Sequence, residues 1–199
     1  MKITKIVQQA KRQDRYSIFV DDKYAFSLSD SALLESKLTP GQEIDSRELG
    51  EWKKLSADDK LYNQTLNYIA LRPRSQWEVE FYLQRKKASP ALTSTIVNKL
   101  SKIGLIDDDK FARAYVADRR LLRPTSRRKL IAELRKKRIA DNIIQQAIGT
   151  EEQDEQAALL EMIARKRKQT KYQDDLKLMQ YLARQGFNYD DIKQALKRE

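Results

Sequence analysis

Two different spacings of apolar residues divide this chain into a short first segment and a long second one. In the first 45 residues, apolar and aromatic side chains fall in short runs typical of strands, at 15–20 (RYSIFV) and 23–28 (KYAFSL). The acidic pair Asp21 and Asp22 between these runs has the length of a hairpin turn. The alternating stretch 2–9 adds a third strand, so the pattern predicts a small sheet-rich module.

Beyond this module the apolar residues recur with the period of an α-helix. Still within the module, Ser29 is placed to cap a short helix, and beyond the module a long helix is predicted from Ser46 onward. The stretch 56–59 (SADD) has the composition of a new N-cap, so it marks a candidate break in the long helix. Pro73 disfavours helical backbone in the residue before it, and the helix is therefore expected to end by Arg72.

A five-residue phrase at this helix end occurs twice, as LRPRS at 71–75 and LRPTS at 122–126. In each copy the proline ends one helix and the serine is placed to cap the next, with a capping-box glutamate in the first copy. Eight residues after each serine stands a leucine, Leu83 or Leu134, and a further apolar stripe begins ten residues later. The matching offsets indicate that two successive segments share one plan.

A third copy of the pattern lies further on and lacks the proline. Asp174 takes the cap position and Leu182 the leucine position, while Lys171 and Tyr172 replace the arginine and the proline. The chain is therefore predicted to be mainly α, an elongated curved array of three tandem three-helix repeats with a small N-terminal β-rich module. The predicted boundaries are 1–45 for the module, 46–106 for a linking helix and repeat 1, 107–149 for repeat 2, and 150–199 for repeat 3.

The composition of the chain indicates what kind of partner it binds. Of the 199 residues 35% are charged, and 40 Lys and Arg against 29 Asp and Glu leave a formal net charge of +11. Such a chain attracts polyanions, nucleic acid first and anionic membrane second. The chain has no cysteine and no histidine, which excludes disulfides, thiolate metal sites and histidine-based catalysis. No signal-peptide or membrane-span pattern is seen, so a cytoplasmic protein without a cofactor is expected.

The densest positive charge lies between Arg119 and Arg138, where ten basic residues face one acid, for a net charge of +9. On a helix from Arg127 the leucines face the core, and a cationic ridge falls on the outer side, made of Arg128, Lys129, Arg135 and Lys136. A merely solvated helix surface is the alternative. The candidate contacts for nucleic acid or an acidic partner are Arg72, Arg74, Arg85, Lys86, Arg119, Arg120, Arg123, Arg127, Arg128, Lys129, Arg135, Lys136, Lys137, Arg138 and Lys171.

Three consecutive acids, Asp107, Asp108 and Asp109, form the other charged cluster. They could bind a divalent cation, but they also stand where a new helix begins, and carboxylates there stabilise the exposed amides. The helix-start interpretation is favoured. No glycine-rich phosphate loop is present, and no catalytic constellation is visible.

Several stretches together resemble the RecX family of regulatory proteins. They are KIGLIDDDKFARAYV at 102–116, the LRKK stretch at 134–137 and YLARQGFNYDDIKQAL at 181–196, and the resemblance covers about residues 60–199. It implies a non-enzymatic regulator that lies in the groove of the RecA–DNA filament and usually inhibits it in DNA repair and recombination. The protein is expected to be a monomer. Many family members also bind DNA. The pair Lys87-Ala88 departs from the Gly-Phe often found there.

Other functions remain open from the residues alone. Three-helix units can place a helix in the major groove, which would suit a DNA-binding protein that acts independently of RecA. The same cationic face would also suit a scaffold for an acidic protein, without DNA. A magnesium-dependent nuclease at Asp107 to Asp109 is the remaining alternative.

Overall fold

The computed structural model describes residues 1–149 and 152–197, and for 152–154 it describes the backbone only. The described part holds three strands, β1 Ile3–Gln9, β2 Arg12–Val20 and β3 Lys23–Ser29. Ten α-helices follow within it: α1 Asp30–Ser36, α2 Ser46–Ala70, α3 Gln76–Arg85, α4 Pro90–Lys102, α5 Asp108–Leu122, α6 Arg127–Lys136, α7 Asp141–Ile148, α8 Glu152–Arg167, α9 Asp175–Arg184 and α10 Tyr189–Lys197. The prediction of a mainly helical chain with a small N-terminal sheet is confirmed.

Two compact units are formed. The first comprises residues 1–72 and 79–99, and the second comprises residues 73–78 with the described residues from 100 onward. No helix in the described part of the chain is long and apolar enough to cross a membrane.

The sheet of the first unit is antiparallel, with strand order β1-β2-β3. Asp21 and Asp22 adopt left-handed backbone, with φ of 48° and 60°, as a two-residue hairpin turn requires. Ile3, Ile18 and Leu28 are fully buried beneath the sheet, and Trp52 of α2 packs against the same cluster. The alternating apolar residues predicted from the sequence therefore form the buried face of the sheet.

Helix α2 runs without interruption through Ser56 and Asp59, so the predicted break is wrong. The hydroxyl of Ser56 donates to the carbonyl oxygen of Ser27 at 2.6 Å, and a carboxylate oxygen of Asp59 accepts from the amide of Ser29 at 3.0 Å. Asp59 also forms a buried ion pair with Arg15 at 3.0 Å. These polar side chains resemble a cap in the sequence because they satisfy backbone groups, but the groups belong to β3 rather than to a new helix.

The helices of the second and third repeats bury two separate cores. In the second, Phe111, Leu134 and Ile144 belong to one cluster, and in the third Leu182 and Ile192 belong to another. The leucines at the matching positions, Leu134 and Leu182, are both completely buried. Burying one such side chain contributes about 1.5–3 kcal/mol, which explains why the leucine spacing recurs.

The joints before α3 and α6 cap these helices as predicted. Ser75 and Glu78 exchange the two hydrogen bonds of a capping box, and the hydroxyl of Ser126 accepts from the amide of Lys129 at 3.2 Å. Each serine hydroxyl also donates to a backbone carbonyl in the following repeat. The acceptor is Lys137 for Ser75, at 3.1 Å, and Gln185 for Ser126, at 2.6 Å.

Candidate functional site

Helix α6 carries the predicted cationic ridge. Ser126 caps the helix, and its leucines Leu130 and Leu134 are buried, so that Arg128 and Lys136 are left exposed on the other side. Arg135 is exposed as well, but its guanidinium lies 2.8 Å from Asp141, and this hydrogen bond lowers the pKa of the Asp141 carboxyl. Arg138, two residues past the end of α6, is exposed too, and we define the exposed ridge as Arg128, Arg135, Lys136 and Arg138.

Two other lysines of this segment differ from the expectation because their ammonium groups are engaged inside the protein. Lys129 is half-buried, and its Nζ donates to Oε1 of Gln185 at 2.5 Å. Lys137 is half-buried, and its Nζ lies 3.1 Å from the carboxylate of Glu78. Both contacts join one repeat to the next, so these charges hold the repeats together as well as adding positive potential.

Two predicted contact residues, Arg120 and Arg127, fasten the end of α7. Arg120 donates to the carbonyl oxygen of Ile148 at 2.8 Å, and Arg127 donates to that of Gly149 at 2.6 Å. The last carbonyls of a helix lack intrahelical donors, and here the two guanidinium groups donate the missing hydrogen bonds. The sequence shows these arginines only as part of a basic run, because their acceptors lie more than 20 residues away.

Arg119 belongs to a polar cluster with Tyr115 and Glu133. The phenol of Tyr115 donates to Glu133 at 2.8 Å, and the guanidinium of Arg119 donates to the phenol oxygen at 2.9 Å and lies 3.1 Å from Glu133. The hydrogen bond from Arg119 to Tyr115 is the main reason that the pKa of Arg119 is raised. Burial raises the pKa of Tyr115. The arginine is therefore a fixed, permanently charged group.

A cavity of about 420 Å³ lies beside this cluster, between α5 and α6 on one side and α8 and α9 on the other. We call it the basic cavity. Arg123 and the half-buried Lys129 line it, and the third repeat contributes Arg165 and Lys166. The remaining lining residues are Arg119, Pro124, Thr125, Glu133, Met162, Gln169, Tyr181 and Gln185.

The basic cavity was not predicted as a unit. Arg119, Arg123 and Lys129 are among the contacts predicted from the charge run, whereas Arg165 and Lys166 lie in the last turn of α8, where cations favour the helix dipole. The only sequence signal that relates them is the repeat itself, which places both groups near equivalent joints. Their convergence depends on how repeats 2 and 3 pack.

The remaining predicted cations lie elsewhere. Arg85 and Lys86 are exposed at the end of α3, where the ammonium of Lys86 sits 5.6 Å from the ring centre of Tyr82. Arg72 and Arg74 flank Pro73 in the first joint. Lys171 is exposed on a short 3-10 helix, Thr170–Tyr172, in the third joint.

The three consecutive acids start helix α5, as favoured from the sequence. Asp107 accepts from the amide of Lys110 at 3.0 Å, and this bond lowers the pKa of its carboxyl. Asp108 accepts from the amide of Gln76 at 2.8 Å, and Asp109 lies 3.0 Å from Arg113. Within the described residues, no group of three or more acidic side chains is arranged to hold a metal ion.

Fold and site together define a basic protein whose chain begins with a small sheet and continues as tandem three-helix repeats. Three family models match the chain in sequence: the regulatory protein RecX N-terminal domain over residues 1–45, the RecX second three-helix domain over 107–148, and the RecX third three-helix domain over 152–196.

The chain belongs to the RecX family of regulatory proteins. It is 33% identical to the regulatory protein RecX of Bacillus subtilis (strain 168), in an alignment that covers 98% of this chain and 75% of that protein. It is 32% identical to the regulatory protein RecX of Bacillus pumilus (strain SAFR-032), over 98% of this chain and 76% of that one. The Lactobacillus johnsonii relative is 34% identical, over 73% of this chain and 54% of its own length.

Solved structures agree. A crystal structure described as regulatory protein RecX superposes with a TM-score of 0.77 and 26% identity, over 100% of this chain and 99% of that chain. The crystal structure of RecX from Lactobacillus salivarius gives a TM-score of 0.62 and 27% identity, over 71% of this chain and 95% of that chain. The resemblance seen in the sequence is thereby confirmed.

Proposed function

We propose that this protein regulates the RecA recombinase by binding the RecA–DNA filament and inhibiting its assembly, ATP hydrolysis and strand exchange. Membership of the RecX family supports RecA as the target. The filament groove is the proposed place of binding. The proposed domains are the N-terminal module 1–45, the linking helix with repeat 1 at 46–106, repeat 2 at 107–149 and repeat 3 at 150–199.

The exposed ridge on α6 is the observation that carries the proposal. Its four cations are exposed, whereas the leucine stripe of α6 is buried, and Arg135 with Asp141 is the one ion pair among the ridge residues in the described part of the chain. A row of exposed cations gains most from a partner with closely spaced negative charges, and DNA phosphates provide it. An acidic protein surface is a weaker match because its charges are less regularly spaced.

The test is an assay of RecA on single-stranded DNA, in which ATP hydrolysis and strand exchange are followed while this protein is added up to stoichiometric amounts. The protein is expected to suppress both. The variant Arg128→Glu/Lys136→Glu is expected to lose suppression, because two repulsive charges replace two attractive ones. A matched control is Lys53→Glu/Lys54→Glu, which makes the same charge change at exposed positions of α2.

Three outcomes contradict the proposal. Unchanged RecA activity at stoichiometric amounts removes RecA regulation. Equal loss in both charge variants assigns the effect to net charge rather than to the ridge. Sequence-specific DNA binding with a palindromic footprint, unaffected by RecA, favours instead a DNA-binding protein that acts independently of the recombinase.

A further inference from the structure

The basic cavity holds more positive charge than its own acids balance. Five cations line it, and Glu133 is the one acid among its lining residues in the described chain. Glu161, outside the lining, lies 3.9 Å from Arg165, a long separation for an exposed pair. The cavity therefore keeps an excess of at least three positive charges in a concave site, where fields from separate residues add.

Several of these cations are held in place by the protein. The hydrogen bonds from Arg119 to Tyr115 and from Lys129 to Gln185 orient two of them. The ammonium of Lys166 lies 4.7 Å from the ring centre of Tyr181 and 5.3 Å from that of Tyr172. Ordering these long side chains in advance removes part of the entropic cost of binding an anion.

A hydrogen bond from Ser126 to the backbone carbonyl of Gln185, a lining residue, joins the two repeats that form the cavity. Thr125, next to this serine, is buried, and Met162 of α8 is buried as well. The walls thus come from two repeats that are fixed to each other by a short hydrogen bond. Cations on walls that are joined in this way are typical of a preformed binding site.

Size and chemistry select the ligand class. A volume of about 420 Å³ admits a few phosphate groups but excludes a duplex. Arginine and lysine together bind phosphate oxygens through charge-assisted hydrogen bonds. The ring of Tyr181 already contacts Lys166 and the ring of Tyr172, at 5.1 Å between centroids, so it is poorly placed to stack a base. Recognition is therefore of phosphate rather than of the base.

We propose that the basic cavity is a phosphate-binding site for a ligand with two or three linked phosphate groups. Two sources share this chemistry: the triphosphate of a free nucleotide and the backbone of a short single strand of DNA. The proposal goes beyond the function given above because it requires no recombinase. Its occupant bridges repeats 2 and 3.

The test is titration of the purified protein by calorimetry with tripolyphosphate, ATP and a single-stranded oligothymidylate in separate experiments, without RecA. The cavity variant is Arg123→Gln/Arg165→Gln, which removes two exposed cations from the rim. A matched control is Lys193→Gln/Lys197→Gln, which removes the same charge from exposed positions of α10. Arg128→Gln/Lys136→Gln serves as a second control for tripolyphosphate and ATP only, because the ridge itself is proposed to bind DNA.

The cavity variant is expected to lose about tenfold or more in affinity, and Lys193→Gln/Lys197→Gln is expected to stay within about threefold for every probe. The ridge variant is expected to stay within about threefold for tripolyphosphate and ATP. Cavity-dependent binding of tripolyphosphate and ATP assigns the site to free polyphosphates. Cavity-dependent binding of the oligonucleotide alone assigns it to the DNA backbone. Equal losses in all three variants, or no binding of any probe by the native protein, overturn the proposal. A ridge variant that fails in the RecA assay but binds phosphate separates the two proposals.

Discussion

The hydroxyl of Ser126 donates a 2.6 Å hydrogen bond to the backbone carbonyl oxygen of Gln185, which lies in the next repeat. Ser75 makes the equivalent bond to Lys137. Each serine thus caps its own helix and also donates a hydrogen bond to a backbone carbonyl at the end of another helix. One hydroxyl serves both purposes because it accepts from one side and donates to the other.

Ser126→Ala is expected to lower the free energy of unfolding by about 1–3 kcal/mol, since it removes a cap and leaves the Gln185 carbonyl without its donor. Urea unfolding followed by circular dichroism measures the change. Asp174→Ala is the control, because Asp174 caps α9 at an exposed position, and a loss of about 1 kcal/mol is expected there. An equal or smaller loss for Ser126→Ala contradicts the structural role across repeats.

Gly186 and Lys87 occupy the same position in two repeats, and substitutions there are expected to change stability in opposite directions. Gly186 has φ of 95°, and an added Cβ would lie 2.7 Å from the hydroxyl oxygen of Ser126, so Gly186→Ala is expected to destabilise by about 1–3 kcal/mol. Lys87 adopts φ of 62° at the matching place, and Lys87→Gly is expected to stabilise by about 0.5–1 kcal/mol. Melting temperatures of both variants test the pair; a lower melting temperature for Lys87→Gly refutes it.

The buried ion pair between Arg15 and Asp59 predicts a large effect in the first unit. Asp59→Ala leaves the guanidinium of Arg15 buried without its carboxylate partner, and the Ser29 amide loses its acceptor. The expected loss is about 3–5 kcal/mol in urea unfolding. Arg47→Ala breaks an exposed pair with Glu51 and is expected to cost less than about 0.5 kcal/mol. Comparable losses for the two variants would show that Asp59 is not an anchor.

Glu155 predicts a pH dependence. Burial raises the pKa of its carboxyl above the ordinary value of 4.5, although it accepts a 2.7 Å hydrogen bond from the amide of Arg127. The folded state therefore binds this proton more tightly than the unfolded state, and the ionised group costs stability as pH rises through the folded pKa.

Glu155→Gln is therefore expected to stabilise the protein at pH 7, with an advantage that shrinks as the pH falls towards 4. Unfolding in urea at several pH values between 4 and 7 measures the difference from the native protein. Glu161→Gln, on the exposed side of the same helix, provides the comparison. A difference for Glu155→Gln that is independent of pH contradicts the assignment to burial.

The contrast between Ser75 and Ser56 shows how far local patterns reach. Both serines stand in polar stretches that look like helix starts. Ser75 is one, because Pro73 has already ended the preceding helix. Ser56 is not, because nothing interrupts α2 and a strand edge is available to take its hydrogen bond. The sequence shows the hydrogen-bonding group but not which backbone group it will meet.

The helices and strands and their repetition can be predicted from the sequence alone. Apolar periodicity, prolines and capping residues act within a few residues of each other, and their spacing is therefore readable along the chain. Which charged side chains come together depends on the packing of the repeats. Arg123 and Lys166 share one cavity, and Arg127 serves a helix end 22 residues away. Such meetings depend on how whole repeats pack, and the buried leucines that drive packing carry no information about the cations around them.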